Sequence, residues 1–258
     1  MLFFLMTPKN TNFGIFQTLI SLLMKRYSFV KPAAILIIHS LVLLNTTLGQ
    51  EPRKFRINIL SGYALPQGQL ASKHFDNGGY AVYGAGSALE GIWKFHPHLS
   101  AGVSFSVSKF PFDENTYAQN LVDSDPFMDN LYMKSDAYKV LTYTGAIYYT
   151  GSICNKVRLT GNVGGGIVWA QTPDQLFSAT YFGGIKRTYK ITPAYCSKPV
   201  ITTGLSCKYR VFEQVDISLF ANYYLANLGF SFLTSSDSYT RWLTFSYINT
   251  GLGIGFVF

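Results

Sequence analysis

Apolar and polar residues alternate with a period of two through much of the chain after residue 50. The alternation is cleanest over Leu99–Ser108, where apolar side chains fill every odd position and serine or glycine fills every even position. Successive side chains of a β-strand point to opposite faces, so this pattern predicts a strand with one apolar face and one small or polar face. The same alternation predicts eight strands: Arg53–Leu65, Tyr80–Lys94, Leu99–Ser108, Ala137–Thr150, Lys156–Trp169, Lys198–Tyr209, Val215–Ala226 and the terminal Thr244–Phe258.

The predicted connections alternate strictly between long and short. Three are short, near residues 96–98, 151–155 and 211–214, and four are long, at 66–79, 110–136, 170–197 and 227–242. An even number of strands with short turns at one end and long loops at the other is the pattern of a transmembrane barrel. We therefore predict an all-β fold, an eight-stranded antiparallel up-and-down transmembrane β-barrel. A soluble β-sandwich also alternates, but it does not need an apolar outer face on every strand.

The terminal strand ends the chain on an aromatic residue. Leu252, Ile254, Phe256 and Phe258 share one face, and glycines fill most of the other. This strand resembles the closing strand of the outer-membrane β-barrel proteins of Gram-negative bacteria, and the whole pattern is similar to the small OmpA/OmpX-like barrels. The resemblance implies an integral protein of the cell outer membrane. It also implies that these four residues form the signal read by the barrel-insertion machinery. The short-turn side, which carries both termini, would then face the periplasm.

The N-terminal segment has the composition of a targeting sequence. A basic stretch begins at Met24, an apolar run covers Ala33–Leu44, and small residues precede a cleavage point after Gly49. We interpret residues 24–49 as a signal peptide, residues 1–23 as an upstream extension, and residues 50–258 as the barrel domain. The chain carries a net charge of +8, and residues 1–49 hold four basic and no acidic residues, which leaves +4. This mild charge gives no reason to expect nucleic-acid binding.

Charged residues recur on the predicted inward faces of the strands. They form a candidate polar network in the lumen: Arg56, Glu90, Lys94, Arg158, Lys208 and Asp216. Buried charges must be paired or solvated, so the acids are expected to pair with some of the cations. A structural salt-bridge plug is the favoured interpretation, because eight strands leave little lumen. A narrow porin-like pathway for small solutes is the alternative.

Two long loops carry candidate binding residues. Asp123, Asp125 and Asp129 offer oxygen ligands for a divalent cation, although the glycine and closing glutamate of an EF-hand loop are missing. An ordinary solvated loop is the simpler interpretation of these charges. Lys186, Arg187 and Lys190 lie among aromatic residues, which suits either contact with anionic lipopolysaccharide or a solvated loop.

Catalytic chemistry finds little support in the sequence. His96 and His98 lie in a short turn, but no acidic residue nearby is placed to orient either imidazole. Cys154, Cys196 and Cys207 are odd in number and form no zinc motif; three unpaired thiols are favoured, and a Cys154–Cys207 disulfide stays open. We expect no cofactor, no metal and no catalytic residues.

The expected function is that of a non-enzymatic outer-membrane barrel. Its long loops would bind a partner or the surface lipid, or the barrel would serve as an accessory subunit of an outer-membrane complex. A narrow channel is the alternative, and a lipid-modifying barrel enzyme is a third and weaker hypothesis.

Overall fold

The computed structural model describes residues 54–75, 77–233 and 238–258. The predicted upstream extension and signal peptide lie outside these residues. Within them, neither helix is long and apolar enough to cross a membrane. The elements in chain order are β1 Phe55–Gln67, α1 Gly68–Ala71, β2 Gly84–Lys94, β3 Leu99–Phe110, α2 Glu114–Ser124, β4 Met128–Ser135, β5 Tyr138–Ser152, β6 Val157–Gln171, β7 Gln175–Tyr181, β8 Ile185–Ile191, β9 Tyr195–Arg210, β10 Val215–Leu233 and β11 Ser238–Val257.

Eight of the strands form a closed antiparallel barrel, which confirms the predicted fold. Their order around the wall is β1-β11-β10-β9-β6-β5-β3-β2, so each strand pairs with its predicted neighbours. The first and last strands close the seam in a register that runs from Arg56 opposite Val257 to Gln67 opposite Ser246. We call the two ends the short-turn end and the long-loop end.

The alternation of the sequence gives the barrel a largely apolar outer face and an inner face lined by small, polar and aromatic side chains. Exposed aliphatic side chains lie on the outer face of seven of the eight wall strands: Ile59, Val103, Ile147, Val163, Ile201, Leu219 and Leu252. Exposed aromatic side chains lie near the strand ends: Trp93, Tyr149 and Tyr209 towards the short turns, and Tyr63 and Trp169 towards the long loops. The inward face of β11 is glycine over its C-terminal part, at Gly251, Gly253 and Gly255, where space is short. A Cβ at Gly253 would overlap the inward side chains of Leu60 and Ser218.

The strand boundaries differ from the sequence prediction at the long-loop end. The strand β2 begins at Gly84, because the preceding residues bond to other loops: the amide of Val82 donates to the Pro111 carbonyl over 2.9 Å. The hairpin of β10 and β11 stays paired up to Leu233 and Ser238, so most of the predicted 227–242 loop is strand.

Two of the predicted long loops fold together into a separate small layer, which we call the loop unit. It consists of α2 and β4 from the 110–136 loop, and β7 and β8 from the 170–197 loop. The three strands form one antiparallel sheet in the order β4-β7-β8. The loop unit has its own core, built from Met128, Leu131, Met133, Phe177 and Ala179, with residues of α2 packed against it.

The first long loop covers the mouth of the barrel. Its short helix α1 packs on β11 and buries Leu70 completely. The loop is held from the wall, where the Tyr138 hydroxyl donates to the Gly79 carbonyl over 2.9 Å and the Arg241 guanidinium donates to the Gly78 carbonyl over 2.8 Å. The long-loop end is therefore closed by ordered chain.

Candidate functional site: the filled lumen and the loop unit

Aromatic side chains fill the half of the lumen nearest the long loops. The rings of Tyr224 and Tyr247 stack at 4.8 Å with 14° between their planes. The Tyr247 hydroxyl lies 3.1 Å from the Thr142 hydroxyl, which belongs to β5 on the opposite wall. This contact spans the lumen. The same layer includes Phe110, Tyr138, Leu228, Phe230, Leu243 and Phe245, each buried.

A polar layer lies below the aromatic one. Asn249 on β11 and Ser108 on β3 are hydrogen-bonded, with the Asn249 Nδ2 donating to the serine over 3.0 Å. The Asn162 amide donates to the Asn222 Oδ1 over 3.2 Å. Beside them lies a cavity of about 10 Å³, roughly the space for one water molecule. Its lining is mostly polar and includes Asn58, Glu90, Tyr148, Ser206, Lys208 and Ser218.

An ionic cluster occupies the short-turn end of the lumen, centred on Asp216 of β10. The Asp216 Oδ2 lies 2.7 Å from Arg56 Nη2 of β1 and 3.0 Å from Arg158 Nη2 of β6. Arg210 of β9 places its Nε 3.7 Å from Asp216 Oδ1. The Asp216 side chain is only 2% exposed, and a buried carboxylate of this kind needs charged partners. The cluster ties four strands together across the lumen.

The structure places most of the predicted lumen residues inside the barrel, but not all of them. Glu90 is buried and accepts a hydrogen bond from Asn58 over 2.9 Å, and Lys208 is buried next to it at the cavity. Lys94 is different: it lies at the exposed end of β2, where the strand leaves the wall, so its predicted place in the network is wrong. The sequence analysis missed Arg210, although it shares the inward parity of Lys208.

Stacked rings hold the inner face of the loop unit together. Phe177 of β7 is 1% exposed, and its ring stacks on Tyr189 of β8 at 4.6 Å with 6° between the planes. Tyr117 of α2 packs on the same core through its ring contact with Phe177 at 6.2 Å. Burial raises the pKa of the Tyr117 and Tyr189 hydroxyls above their ordinary value. Both tyrosines therefore stay neutral at physiological pH.

Polar contacts anchor α2 to its neighbours. Asp113 caps the helix by accepting from the Thr116 amide over 3.2 Å and also forms an ion pair with Lys73 of the first loop at 2.6 Å. Burial acts to raise the pKa of the Asp113 carboxyl, but the hydrogen bonds from Lys73 and Thr116 outweigh it and hold this pKa below its usual value. The Ser135 amide donates to Glu114 Oε1 over 2.7 Å. The helix is thus fixed to both the first loop and β4.

The loop unit presents an apolar tip at the end of its sheet. Phe127 and Phe182 are 70% and 63% exposed, and the Phe182 amide donates to the Phe127 carbonyl over 3.1 Å. The β7–β8 turn needs its two glycines, since Gly183 and Gly184 have φ angles of 87° and 76°, a region that disfavours other residues. Ile185 follows the turn and is exposed as well. These residues form the apolar tip: Phe127, Phe182 and Ile185.

Basic residues line the outermost strand, β8. Lys186, Arg187 and Lys190 are all exposed, and β8 pairs with β7 on one side only among the described residues. The ring of Tyr181 lies 6.0 Å from the Arg187 guanidinium, and Lys190 pairs with Asp174 at 2.8 Å. The predicted lipid-binding cations therefore occupy one edge of the loop unit.

The predicted cation-binding aspartates are engaged locally. Asp123 accepts from the Gln119 amide over 2.8 Å, Asp125 accepts from the Phe127 amide over 3.0 Å, and Asp129 is exposed on β4. No group of three or more histidine, cysteine or acidic residues in the described part of the chain is placed to hold a metal ion. The arrangement therefore gives no support to the cation-binding hypothesis. The three cysteines are free, and Cys154 and Cys207 are both exposed.

Comparisons with known proteins return small outer-membrane barrels. No protein-family model and no curated protein matches the chain. Among solved structures it is similar to a major outer membrane protein of Thermus thermophilus, with 12% identity, a TM-score of 0.45 and coverage of 81% of this chain and 100% of that one. It is also similar to Neisserial surface protein A, with 12% identity, a TM-score of 0.44 and coverage of 79% and 97%. It is similar as well to the attachment invasion locus protein Ail of Yersinia pestis, with 17% identity, a TM-score of 0.39 and coverage of 81% of this chain and 100% of that one.

At such identities and TM-scores these similarities add no argument about function, and the fold class rests on the closed strand register described above. The chain has the eight-stranded antiparallel architecture of a small barrel, and its role must be argued from its own residues.

Proposed function

We propose that this protein is an integral, non-enzymatic barrel of the cell outer membrane that binds a partner or the surface lipid through its loop unit. The short-turn end and both termini then face the periplasm, and the loop unit faces the cell exterior. The observation that carries the proposal is the loop unit itself. Two long loops fold around a shared core and expose an apolar tip, whereas the lumen beneath them is filled.

The outer wall supports a location in the membrane. A largely apolar outer surface around a closed barrel, with aromatic side chains near both ends, suits a lipid environment and would be costly in water. A polar exception is the pair Ser61 and Ser87, whose hydroxyls lie 3.4 Å apart. The outward residues of the terminal strand, Leu252 and Ile254, continue this surface. The terminal strand remains the proposed signal for the barrel-insertion machinery.

The filled lumen favours this function over a narrow channel. A solute would have to displace the stacked Tyr224 and Tyr247 rings and then pass the ion pairs of Asp216. We expect the refolded protein to show no steady conductance in a planar bilayer. A steady conductance that changes when Arg158 is replaced by glutamine would instead support the channel.

The exposed residues of the loop unit suggest two binding chemistries. The apolar tip suits a protein partner, because exposed aromatic side chains are typical anchors of protein interfaces. The cations of β8 suit the phosphate groups of lipopolysaccharide. An accessory role in a larger complex would use the same surfaces.

The proposal is tested by two variants with the same barrel. One replaces Phe127 and Phe182 with serine, and the other replaces Lys186 and Lys190 with glutamine. Tagged proteins are recovered from native outer membranes in mild detergent, and their partners are identified by mass spectrometry. In parallel, binding to lipopolysaccharide vesicles is measured.

A stoichiometric partner that is lost only with the serine variant would support protein binding. Vesicle binding that is lost only with the glutamine variant would support lipid binding. If the wild-type protein is recovered without a partner and does not bind the lipopolysaccharide vesicles, the proposed function is wrong.

A further inference from the structure

Three guanidinium groups converge on one carboxylate at the short-turn end of the lumen. Arg56, Arg158 and Arg210 come from three different strands and all approach Asp216. Arg158 uses its Nη2 on both oxygens of Asp216, at 3.0 and 3.1 Å. One carboxylate can neutralise only one of the three arginines, so the cluster holds more positive charge than its acid compensates.

Adding the neighbouring charged residues does not restore the balance. Lys208 and Glu90 lie deeper in the lumen, both buried, and contribute one charge of each sign. Glu90 also accepts a hydrogen bond from Asn58. By formal charge, the described inward-facing groups in and beside the cluster are then four cations and two anions. Glu213 of the neighbouring short turn is exposed and has an interaction of its own. Uncompensated charge in a partly desolvated site is costly, and an anion from the adjoining solvent would lower that cost.

Among the described residues, Asp216 engages only some of the hydrogen-bond donors of the arginines. A guanidinium carries five N–H donors in a planar fork, whereas Arg56 and Arg158 each contact Asp216 through a single terminal nitrogen. The Nε of Arg210 is buried and has no hydrogen-bond partner among the described residues. A buried donor without a partner costs free energy until an acceptor satisfies it.

The cluster is reachable from the short-turn end. Side-chain exposure rises from 14% for Arg56 to 19% for Arg158 and 41% for Arg210. Asp216 itself is covered. An incoming anion would therefore meet the guanidinium groups first, with the carboxylate behind them.

We propose that this cluster is a binding site for a tetrahedral oxyanion of the phosphate type. Several planar forks that converge on one point match the multiple acceptor oxygens of phosphate, which a single spherical ion does not offer. Asp216 holds the three arginines in position despite their mutual repulsion. Inorganic phosphate and the phosphate of a lipid headgroup share this chemistry. The proposal does not depend on what the loop unit binds.

Calorimetric titration of the refolded protein in a non-ionic detergent tests the site. The probes are inorganic phosphate and glycerol phosphate, a soluble headgroup, at low ionic strength. We expect saturable binding with one site per chain, and R210Q should weaken it by about tenfold or more, the effect of losing one charge-assisted contact. The matched control is K94Q, which removes one exposed positive charge at the same end of the barrel and should change the affinity much less.

The pattern across probes and variants decides the outcome. Binding of inorganic phosphate supports a free anion as the ligand, and binding of glycerol phosphate alone supports a headgroup. Absence of saturable binding for both overturns the proposal, as does an equal loss in R210Q and K94Q, which would indicate unspecific attraction.

Discussion

Truncating Phe177 to alanine should unfold the loop unit and leave the barrel intact. This side chain is 1% exposed in the core of the loop unit and stacks on Tyr189. Removing a buried phenylalanine costs about 3–5 kcal/mol, and the lost ring stacking accounts for about 0.5–1.5 kcal/mol within that range. The barrel should respond little, because the core of the loop unit and the buried core of the lumen share no buried residue, and Phe112 packs against both.

A loss of about 3–5 kcal/mol is enough to unfold the loop unit because the loop unit is small. A folded segment of about forty residues is stable by about 2–6 kcal/mol at the usual stability per residue. The loss from F177A is of the same size. The hydrogen-bonded strands of the loop unit should therefore open locally, while the barrel strands remain paired.

Limited proteolysis and hydrogen exchange of the detergent-refolded protein measure the effect. In F177A we expect rapid cleavage within 110–136 and 170–197 and loss of amide protection in β4, β7 and β8. The matched control is F127A, which removes an exposed ring of the same unit and should leave protection nearly unchanged. The reasoning fails if F177A stays protected, or if the barrel strands lose protection together with the loop unit.

Three further predictions concern the contacts that order the loops and the lumen. D113A should destabilise α2 by about 1 kcal/mol through loss of its cap. Because the pKa of Asp113 is held below its usual value, the stabilisation by Asp113 is present above about pH 4 and is lost as the pH falls through that lowered pKa. Amide exchange of α2 at pH 3 and pH 6 would show this. G79V should release the first loop, since a Cβ at Gly79 would meet the Leu70 backbone; faster proteolysis between β1 and β2 checks this. Y247F should lower barrel stability by about 1 kcal/mol in denaturant titrations without creating conductance.

The barrel was predictable because its signal is repeated in every strand. Outward residues such as Val103 and Val163 alternate with small inward residues, and the fixed period of two makes each strand reinforce the same conclusion. The inward parity also placed Arg56, Arg158 and Asp216 in the lumen. The parity did not show that three arginines share a single acid, because that depends on distances between strands that are not neighbours in the wall.

The loop unit was not predicted, for a physical reason. Its strands are short, and their buried face packs against residues of another loop. Leu131 and Phe177 can therefore join one core only after the barrel brings their loops together. Asp113 followed by Glu114 was a usable helix-start signal. The acidic charge of the region suggested Asp123 and Asp125 as metal ligands instead, although each carboxylate accepts a local hydrogen bond.

The seam between β1 and β11 has a consequence for the order in which the barrel assembles. It joins residues close to the two ends of the described chain, where the Phe258 amide donates to the Phe55 carbonyl over 2.9 Å. Such long-range closure costs the most loop entropy and is expected late. The closing strand also reaches across the lumen, through Tyr247 to β5 and Asn249 to β3. Its closure in register therefore requires β3 and β5 of the far wall to be in place.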